Sequence, residues 1–298
     1  MYASTADDNR AASDRPHFRE PFAARLRRWV LGSAYALQPK RIALMPRLTL
    51  MTIAHVLGLT EAEPRIPDHP IYYGEQGLVG ICEDLGVDNL IAAYRRGIFP
   101  VCHLGPMKWW SPAERAVLFL EDTHIEKNLR RIIRQGKYRV TFDRDMAGVM
   151  HACAEPRPGK TPLTWITPRI MDAYWALYQA GYAHSVEVWD GEDRLVGGSY
   201  GLALGRVFFG ESQFARVRDT SKIAAAVLNC HLAKWGFALR DAKWMSEHLA
   251  SSGFTPISRA AFEDLLARHG QGPDRLGRWE IDDSLDVAGW TPARPNHG

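Results

Sequence analysis

The sequence has no apolar run long enough to span a membrane and few cysteines. A transmembrane helix needs about 20 consecutive apolar residues, and the apolar patch between Arg25 and Gln38 is short and interrupted by Gly32 and Ser33. That patch also begins too far along the chain for a signal peptide. The four cysteines are widely spaced, without a Cys-x-x-Cys pair or a histidine at metal-ligand spacing. We therefore predict a cytoplasmic protein with reduced thiols and no metal site.

Two motifs of common transferases and hydrolases are also missing. Gly210-Glu211-Ser212 is not the Gly-x-Ser-x-Gly turn that presents a nucleophilic serine in many hydrolases. The segment from Gly210 to Lys222 is poor in glycine, which argues against a glycine-rich pyrophosphate-binding turn of the acyl-CoA kind.

Acidic residues are scarce near the start of the chain. Between Arg10 and Arg47 there are nine basic residues but only two acidic ones, Asp14 and Glu20. A basic segment of this kind is typical of a contact with nucleic acid or with an anionic membrane surface, although a merely solvated arm has the same composition. Residues 1–70 are therefore predicted to form a basic N-terminal extension.

The remaining chain is predicted to form an α+β fold with an antiparallel-rich sheet. At 298 residues it can hold one large or two modest domains, and we place a small N-terminal domain at 71–125, a transferase domain at 126–270 and a loose tail at 271–298. Three successive strands alternate with period two and are followed by a helix. The strands are predicted over 184–189, 195–202 and 206–209, and helices over 41–59, 87–96, 168–180, 221–235, 241–249 and 260–269.

Two carboxylates each follow an apolar segment of this core. Glu211 comes after the strand that ends at Gly210, and Asp241 follows the apolar run that ends at Leu239. Attack of an amine on an activated ester needs a group that accepts the amine proton and donors for the developing oxyanion. Each carboxylate alone is more often structural, but the pair indicates a reaction site.

Aromatic and basic residues provide candidates for nucleic-acid contacts. Trp109, Trp110 and Trp165 are flanked by turn residues, and an aromatic face stacks on a base with about 1–3 kcal/mol. Core packing is the alternative for each of them. Arg130 and Arg131 lie on the basic face of a predicted helix, which suits a phosphate backbone or is simply a solvated face.

Several segments in order along the chain resemble the leucyl/phenylalanyl-tRNA–protein transferases. The resemblance covers roughly residues 77–266. It rests on the segments at 94–100 (YRRGIFP), 109–112 (WWSP), 164–166 (TWI), 183–189 (AHSVEVW), 195–198 (LVGG), 208–216 (FFGESQFAR), 220–222 (TSK) and 248–253 (HLASSG).

The resemblance implies a small N-terminal domain on a domain like that of the N-acetyltransferases (GNAT). The implied activity moves an amino acid from the 3′ end of an aminoacyl-tRNA to the N-terminal amine of an acceptor protein. No metal and no dissociable cofactor are implied, because the aminoacyl ester supplies the driving force.

The resemblance also implies roles for individual residues. Asp241 and Glu211 match the acidic residues of the site, and we predict acid/base and orienting roles for them, with Lys243 beside them. Trp165 is implied to stack near the terminal adenosine and Phe208 to line the side-chain pocket. Further substrate-binding residues are Tyr94, Trp110, Ser199, Ser212, Gln213 and Phe214, and the tRNA-binding residues are Arg130 and Arg131.

Four positions depart from the family pattern. Val101 replaces a tryptophan, Ser199 and Gln213 replace pocket methionines, and Lys243 replaces a glutamine two residues beyond Asp241. Polar groups in a pocket for leucine or phenylalanine would lack partners, at a cost of about 1–3 kcal/mol each, but they suit a polar donor side chain. The pattern thus leaves open a donor other than leucine or phenylalanine.

Two alternatives remain open on the sequence. One is a GNAT-like acyl or aminoacyl transferase with another donor or acceptor, and the other is a non-catalytic relative that binds tRNA or a protein N-terminus. If Lys243 and Asp241 only satisfy each other and no cleft opens beside Glu211, the binding protein is favoured. An open cleft with Trp165 on one wall favours the enzyme.

Overall fold

A computed structural model describes residues 16, 18–38, 45–58, 66, 70–103, 105–156, 159 and 161–292. Helices and strands alternate along most of this chain. In order, the elements are α1 (Phe22–Ala36), α2 (Met45–Val56), β1 (Leu78–Ile81), α3 (Val87–Arg95), β2 (Phe99–Pro100), β3 (Lys108–Trp110), β4 (Glu114–Phe119), α4 (Lys127–Arg134), β5 (Arg139–Phe142), α5 (Met146–Ala154), α6 (Pro168–Gln179), β6 (Ala183–Trp189), β7 (Leu195–Leu204), β8 (Val207–Ala215), α7 (Thr220–Lys234), β9 (Leu239–Asp241), α8 (Glu247–Ser251), β10 (Thr255–Ser258) and α9 (Arg259–His269).

The strands form one small and one large sheet. The small sheet has the order β1-β3-β2, and the large one has the order β10-β4-β9-β8-β7-β6-β5. Within these sheets every paired strand is antiparallel to its neighbour except for β8 and β9, which run parallel. Helix α7 connects that parallel pair, as a parallel connection requires. The mixed α and β architecture with antiparallel-rich sheets agrees with the sequence prediction.

Helices cover both faces of the large sheet. Helices α5 and α6 pack on one face, and α7 packs on the other. Adjacent residues of a strand point to opposite faces, so Phe209 belongs to the core under α5 and α6 while Phe208 belongs to the core under α7. Trp279 closes the second core, is only 2% exposed and stacks on His184 with ring centroids 3.7 Å apart. The tail at 271–298 was expected to be loose; its described part contains no helix or strand, but it places Trp279 in this core.

Most predicted elements of the large sheet are present. The three-strand meander is β6-β7-β8, and α6 begins with Pro168 at its first position. Helix α7 ends before Gly236, whose φ of 78° suits glycine after a helix.

The helix predicted over 241–249 is wrong. Leu239–Asp241 is strand β9, which lies between β4 and β8, and only Glu247–Ser251 is helical. Leu239 is fully buried and pairs with Phe119 on one side and with Val207 on the other. The central position in the sheet therefore overrides the local helical pattern, which ignores long-range pairing.

Two helices precede the small sheet. Helix α2 confirms the described part of the helix predicted over 41–59, whereas residues 41–44 and 59 lie outside the described residues. Helix α1 was not predicted. No helix in the described part of the chain is both long enough and apolar enough to cross a membrane.

The predicted division into domains stays a prediction. Strand β4 lies within the segment assigned to the small N-terminal domain, and in the structure it pairs with β9 and β10 of the large sheet.

Candidate functional site

Glu211 occupies an irregularity in strand β8. Gly201 of β7 pairs with Gly210, and the next pair joins Tyr200 to Ser212. Glu211 is therefore the extra residue of a β-bulge, a feature that often re-aims a side chain beside a functional site. The sequence prediction placed Glu211 just beyond the strand, but β8 continues to Ala215.

The Glu211 carboxylate is held by a lysine and a tyrosine. The Lys243 ammonium binds Oε1 of Glu211 and also donates to the carbonyl oxygen of Gly210 at 2.7 Å. The Tyr94 hydroxyl donates to the same Oε1 at 2.8 Å. The side chains of Lys243 and Glu211 are 6% and 2% exposed, so this ion pair is almost fully desolvated.

Two tyrosines form a chain of hydrogen bonds behind Glu211. Burial, and then the nearby Glu211 charge, raise the pKa of Tyr94 well above its usual value, so Tyr94 remains a phenol. A phenol has one proton to donate, and Tyr94 gives it to Glu211. In the bond between the hydroxyls of Tyr94 and Tyr174, Tyr174 is therefore the donor.

Lys243 has an unusual backbone conformation. Its φ is 62°, in the left-handed region that non-glycine residues rarely adopt. Strain of this kind concentrates at functional sites, and here it turns the lysine side chain toward Glu211 while its backbone N–H donates to Asp241 Oδ1 at 3.1 Å.

Asp241 is paired with a buried arginine. Its two oxygens accept from Arg115 Nε at 2.7 Å and from Arg115 Nη2 at 3.1 Å, and Arg115 Nη1 donates to the carbonyl oxygen of Gly97. Arg115 and Asp241 are 1% and 0% exposed. The Lys243 ammonium binds Glu211 and not Asp241, so Lys243 and Asp241 do not satisfy each other.

A large open cavity lies beside the Glu211–Lys243 pair. It has a volume of about 720 Å³ and is bounded by β2, β3, the loop after β9, and helices α1 and α2. Trp165 and Trp110 line it together with Glu211 and Lys243, and the Trp110 indole donates to the carbonyl oxygen of Val101 at 2.8 Å. The cleft that would favour an enzyme over a binding protein is present.

A smaller cavity of about 330 Å³ begins on the other side of Glu211. Ser199, Ser212 and Gln213 line it with residues of α7, β9 and α8. Ser199 and Gln213 are directly opposed in the pairing of β7 with β8, so they share one face of the sheet. Trp165, Glu211 and Ala242 line both cavities, and the two cavities therefore meet at Glu211.

Three predicted substrate-binding residues lie away from both cavities. Phe208 is 1% exposed and packs near Trp279, with ring centroids 6.0 Å apart. Phe214 belongs to the core under α5 and α6. Tyr94 is fully buried and reaches the site only through Glu211. These three side chains support the site from behind and do not line it.

The two predicted tRNA-binding arginines differ from each other. The Arg130 guanidinium donates to the carbonyl oxygens of Ile125, at 3.0 Å, and Ala288, at 2.7 Å, so it ties α4 to the tail. Arg131 is exposed and donates to Asn128 within its own helix. Of the pair, Arg131 is the more exposed.

The sequence prediction missed several residues of the site. Arg115, Arg240 and Trp244 were not singled out, although Arg115 pairs with Asp241 and the other two line the cavities. Strand β4 carried a signal, since Arg115 directly precedes the apolar residues 116–119 of that strand. No group of three or more His, Cys, Asp or Glu in the described ranges is placed to hold a metal ion.

Comparison with known proteins agrees with the resemblance. The family model for leucyl/phenylalanyl-tRNA protein transferase matches residues 117–267, and the model for the N-terminal domain of that family matches residues 83–113. The leucyl/phenylalanyl-tRNA–protein transferase of Pseudomonas syringae pv. syringae is 50% identical over 194 residues, which are 65% of this chain and 84% of that protein. The protein of the same name from Ectopseudomonas mendocina is 50% identical over 200 residues, 67% and 88% of the two chains.

A solved structure of L-PGS from Bacillus licheniformis covers 55% of each chain at 11% identity, but its TM-score of 0.32 is too low to carry an argument about the fold. The family models together match most of the large sheet and both strands that carry Glu211 and Asp241. The chain belongs to the leucyl/phenylalanyl-tRNA–protein transferase family.

Proposed function

We propose that this protein transfers the aminoacyl group of an aminoacyl-tRNA to the N-terminal amine of an acceptor protein. The observation that carries the proposal is the desolvated Glu211–Lys243 pair at the junction of the two cavities. Relatives that bear the name leucyl/phenylalanyl-tRNA–protein transferase support it. The larger cavity gives room for the terminal nucleoside beside Trp165, and the smaller one for the side chain of the amino acid.

The chemistry exchanges one bond for another. The amine nitrogen attacks the ester carbonyl carbon, a C–N bond forms, the bond from that carbon to the ribose 3′-oxygen breaks, and a proton passes from the amine to the leaving oxygen. Glu211 is placed to accept a hydrogen bond from the amine and orient it. The ester supplies the driving force, so the proposal includes no metal and no cofactor.

We assign Lys243 the role of hydrogen-bond donor to the developing oxyanion. An ammonium has three N–H donors, and Glu211 and the Gly210 carbonyl oxygen use two of them. The third is available to an oxyanion at the cavity junction, where low exposure strengthens the interaction.

Asp241 is assigned a positioning role. It is fully buried, lines neither cavity and already accepts hydrogen bonds from Arg115 and from the Lys243 backbone. We infer that it fixes the turn that carries Lys243, and does not itself accept the amine proton.

We also propose that the large sheet and its helices form a GNAT-like core. The antiparallel meander, the connecting helix α7 and the parallel β8–β9 pair follow the order of a GNAT-like core. We also propose a cytoplasmic location, which four free, buried cysteines suit.

The test is incubation of the purified protein with a set of charged tRNAs and peptides that start with arginine or lysine, read by mass spectrometry. One added aminoacyl residue at the peptide N-terminus is expected. Glu211→Gln keeps the shape of the side chain and should lower the rate by about 10²-fold or more. Absence of transfer from every donor, or full activity of Glu211→Gln, would overturn the proposed function.

A further inference from the structure

The smaller cavity contains a buried arginine without a carboxylate. Arg240 of β9 is 7% exposed, and its side chain points to the face of the sheet opposite to that of Asp241, as adjacent strand residues do. Its Nη1 donates to Asn229 Oδ1 at 2.7 Å, while its Nε has no hydrogen-bond partner. Among the residues that the structure describes, none forms an ion pair with Arg240.

In the cavity that Glu211, Gln213 and Lys222 also line, this guanidinium is hydrogen-bonded to Asn229 alone among the described residues. It lies over the rings of Phe208 and Phe254, 5.7 Å and 5.8 Å from their centroids. Burial lowers the pKa of Arg240 to about 10, still well above neutral pH, so the side chain remains charged. A buried charge is costly unless an opposite charge or several hydrogen bonds compensate it.

A second polar group in the cavity is also unsatisfied. Ser199 is 6% exposed, and its Oγ has no hydrogen-bond partner. Across the strand pair, Gln213 is engaged with His248, with 2.8 Å between their nitrogens. Arg240 and Ser199, which both line the cavity, thus have N–H and O–H donors without a partner, and such donors suit an anionic oxygen.

Size and position restrict the anion. The cavity measures about 330 Å³, near the lower limit for small-molecule pockets, and it meets the larger cavity at Glu211 and Trp165. An amino acid whose backbone lies beside Glu211 can therefore place only a side chain of a few atoms in the smaller cavity.

We propose that the smaller cavity binds a short side chain that ends in a carboxylate, with Arg240 as the residue that determines specificity. The proposal rests on the proposed function, because the side chain belongs to one of its two substrates. An aspartyl or glutamyl group on the tRNA is one source of the carboxylate, and the first residue of the acceptor protein is the other. Leucine or phenylalanine would leave the Arg240 charge and the Ser199 hydroxyl without partners.

The first experiment measures transfer from tRNAs charged with Asp, Glu, Asn, Gln, Leu or Phe to peptides that start with Asp, Asn or Arg. We expect the transfer rate with an acidic residue to exceed the rate with its amide by at least about tenfold, either among the charged tRNAs or among the peptides. The reason is that a charge-assisted hydrogen bond replaces a neutral one. A preference among donors identifies the aminoacyl group as the source, and a preference among peptides identifies the acceptor. Transfer without any preference for an acid overturns this inference and leaves the proposed function standing.

The variant experiment removes the charge and keeps the volume. Arg240→Met should reduce the acid-to-amide ratio to about one, while Arg240→Lys should retain part of it. Arg268→Met is the matched control, because Arg268 is exposed on α9 and lies outside both cavities. Should Arg240→Met fail to fold, Ser199→Met fills the same cavity and is expected to give the same loss. An unchanged ratio in the folded variants contradicts the inference.

A binding experiment separates this inference from catalysis. One pair of probes is 3′-amino-3′-deoxyadenosine with aspartate or asparagine joined to its 3′ nitrogen by an amide bond. The other pair is peptides that start with Asp or Asn. Each probe is titrated against the wild-type protein by calorimetry. At least about tenfold tighter binding of one acidic probe supports the inference even if no transfer occurs, a result that overturns only the proposed function. Equal binding of acid and amide in both pairs overturns the inference.

Discussion

The Lys243 ammonium binds the Glu211 carboxylate at the point where two cavities meet, and both side chains are almost fully buried. Most ion pairs in the described part of the chain are more exposed, such as Arg194 with Glu192, at 65% and 73%. A desolvated pair interacts more strongly with a substrate charge because solvent screening is weak. The pair is therefore the centre around which the activity is expected to change on mutation.

We expect Lys243→Met to lower the rate of aminoacyl transfer by about 10²-fold or more, because an uncharged group replaces an oxyanion donor. Lys243→Gln should stay within about tenfold of wild type, since an amide also donates hydrogen bonds. The measurement is kcat/KM with a fixed tRNA and peptide. Equal loss in the two variants would show that the charge, and not the donor, matters.

Asp241→Asn is expected to destabilise the protein. The change leaves the buried Arg115 guanidinium without its counter-charge, and breaking a buried pair in this way costs about 3–5 kcal/mol. Chemical denaturation measures this loss. The double variant Arg115→Met with Asp241→Leu removes both charges and should be more stable than Asp241→Asn. If Asp241→Asn is inactive but as stable as wild type, Asp241 takes part in the chemistry directly.

Tyr200→Phe should leave stability unchanged or raise it at neutral pH. The Tyr200 hydroxyl is buried without a hydrogen-bond partner, so removing it removes an unsatisfied group. Burial raises the pKa of Tyr200 well above its usual value of 10. This raised pKa leaves the unfolding free energy unaffected below pH 10 and lowers it as the pH rises above that value, because the tyrosine of the unfolded chain ionises first. Unfolding free energies at pH 7 and pH 11 should show a smaller alkaline loss for Tyr200→Phe than for wild type.

The two arginines of α4 should respond differently to mutation. Arg131→Ala should reduce the slope of log affinity for tRNA against log salt concentration by about one unit, as expected for one lost phosphate contact. Arg130→Ala should lower the melting temperature, since it loses the bonds to Ile125 and Ala288. Filter binding at several salt concentrations and thermal melts separate the two effects. A salt slope that responds to Arg130 and not to Arg131 contradicts the assignment.

Local pattern was sufficient for the meander and for α7, where alternation and a stop at Gly236 define the elements. It was not sufficient for β9. That three-residue strand exists because β4 and β8 flank it, and β4 is far away in sequence. The partner of Asp241 was missed for the same reason, since Arg115 lies on β4.

The sequence predicted some residues of the site correctly and misplaced others. Glu211, Trp165, Ser199 and Gln213 were expected at the site, and all four line a cavity. Phe208 was also expected there, but it points to the core near Trp279. Which partner a buried charge selects, and which face a residue beside a bulge takes, depend on packing that one sequence does not show.

Ser199 and Gln213 give the last prediction, which concerns the donor. Both line the smaller cavity, opposite each other on β7 and β8, and the Ser199 hydroxyl has no partner. An apolar donor side chain would leave that hydroxyl stranded at about 1–3 kcal/mol, so Leu-tRNA and Phe-tRNA should be poor donors for the natural protein.

The double variant Ser199→Met with Gln213→Met replaces these groups with apolar side chains and should raise the use of Leu-tRNA and Phe-tRNA by at least about tenfold, equivalent to about 1.4 kcal/mol. Competition between labelled Leu-tRNA and a mixture of all charged tRNAs measures the change. The matched control is Gln271→Met, an exposed glutamine outside both cavities, which should leave donor choice unchanged. Efficient Leu or Phe transfer by the natural protein would mean that neither polar side chain governs donor choice, and that the cavity tolerates an apolar group despite them.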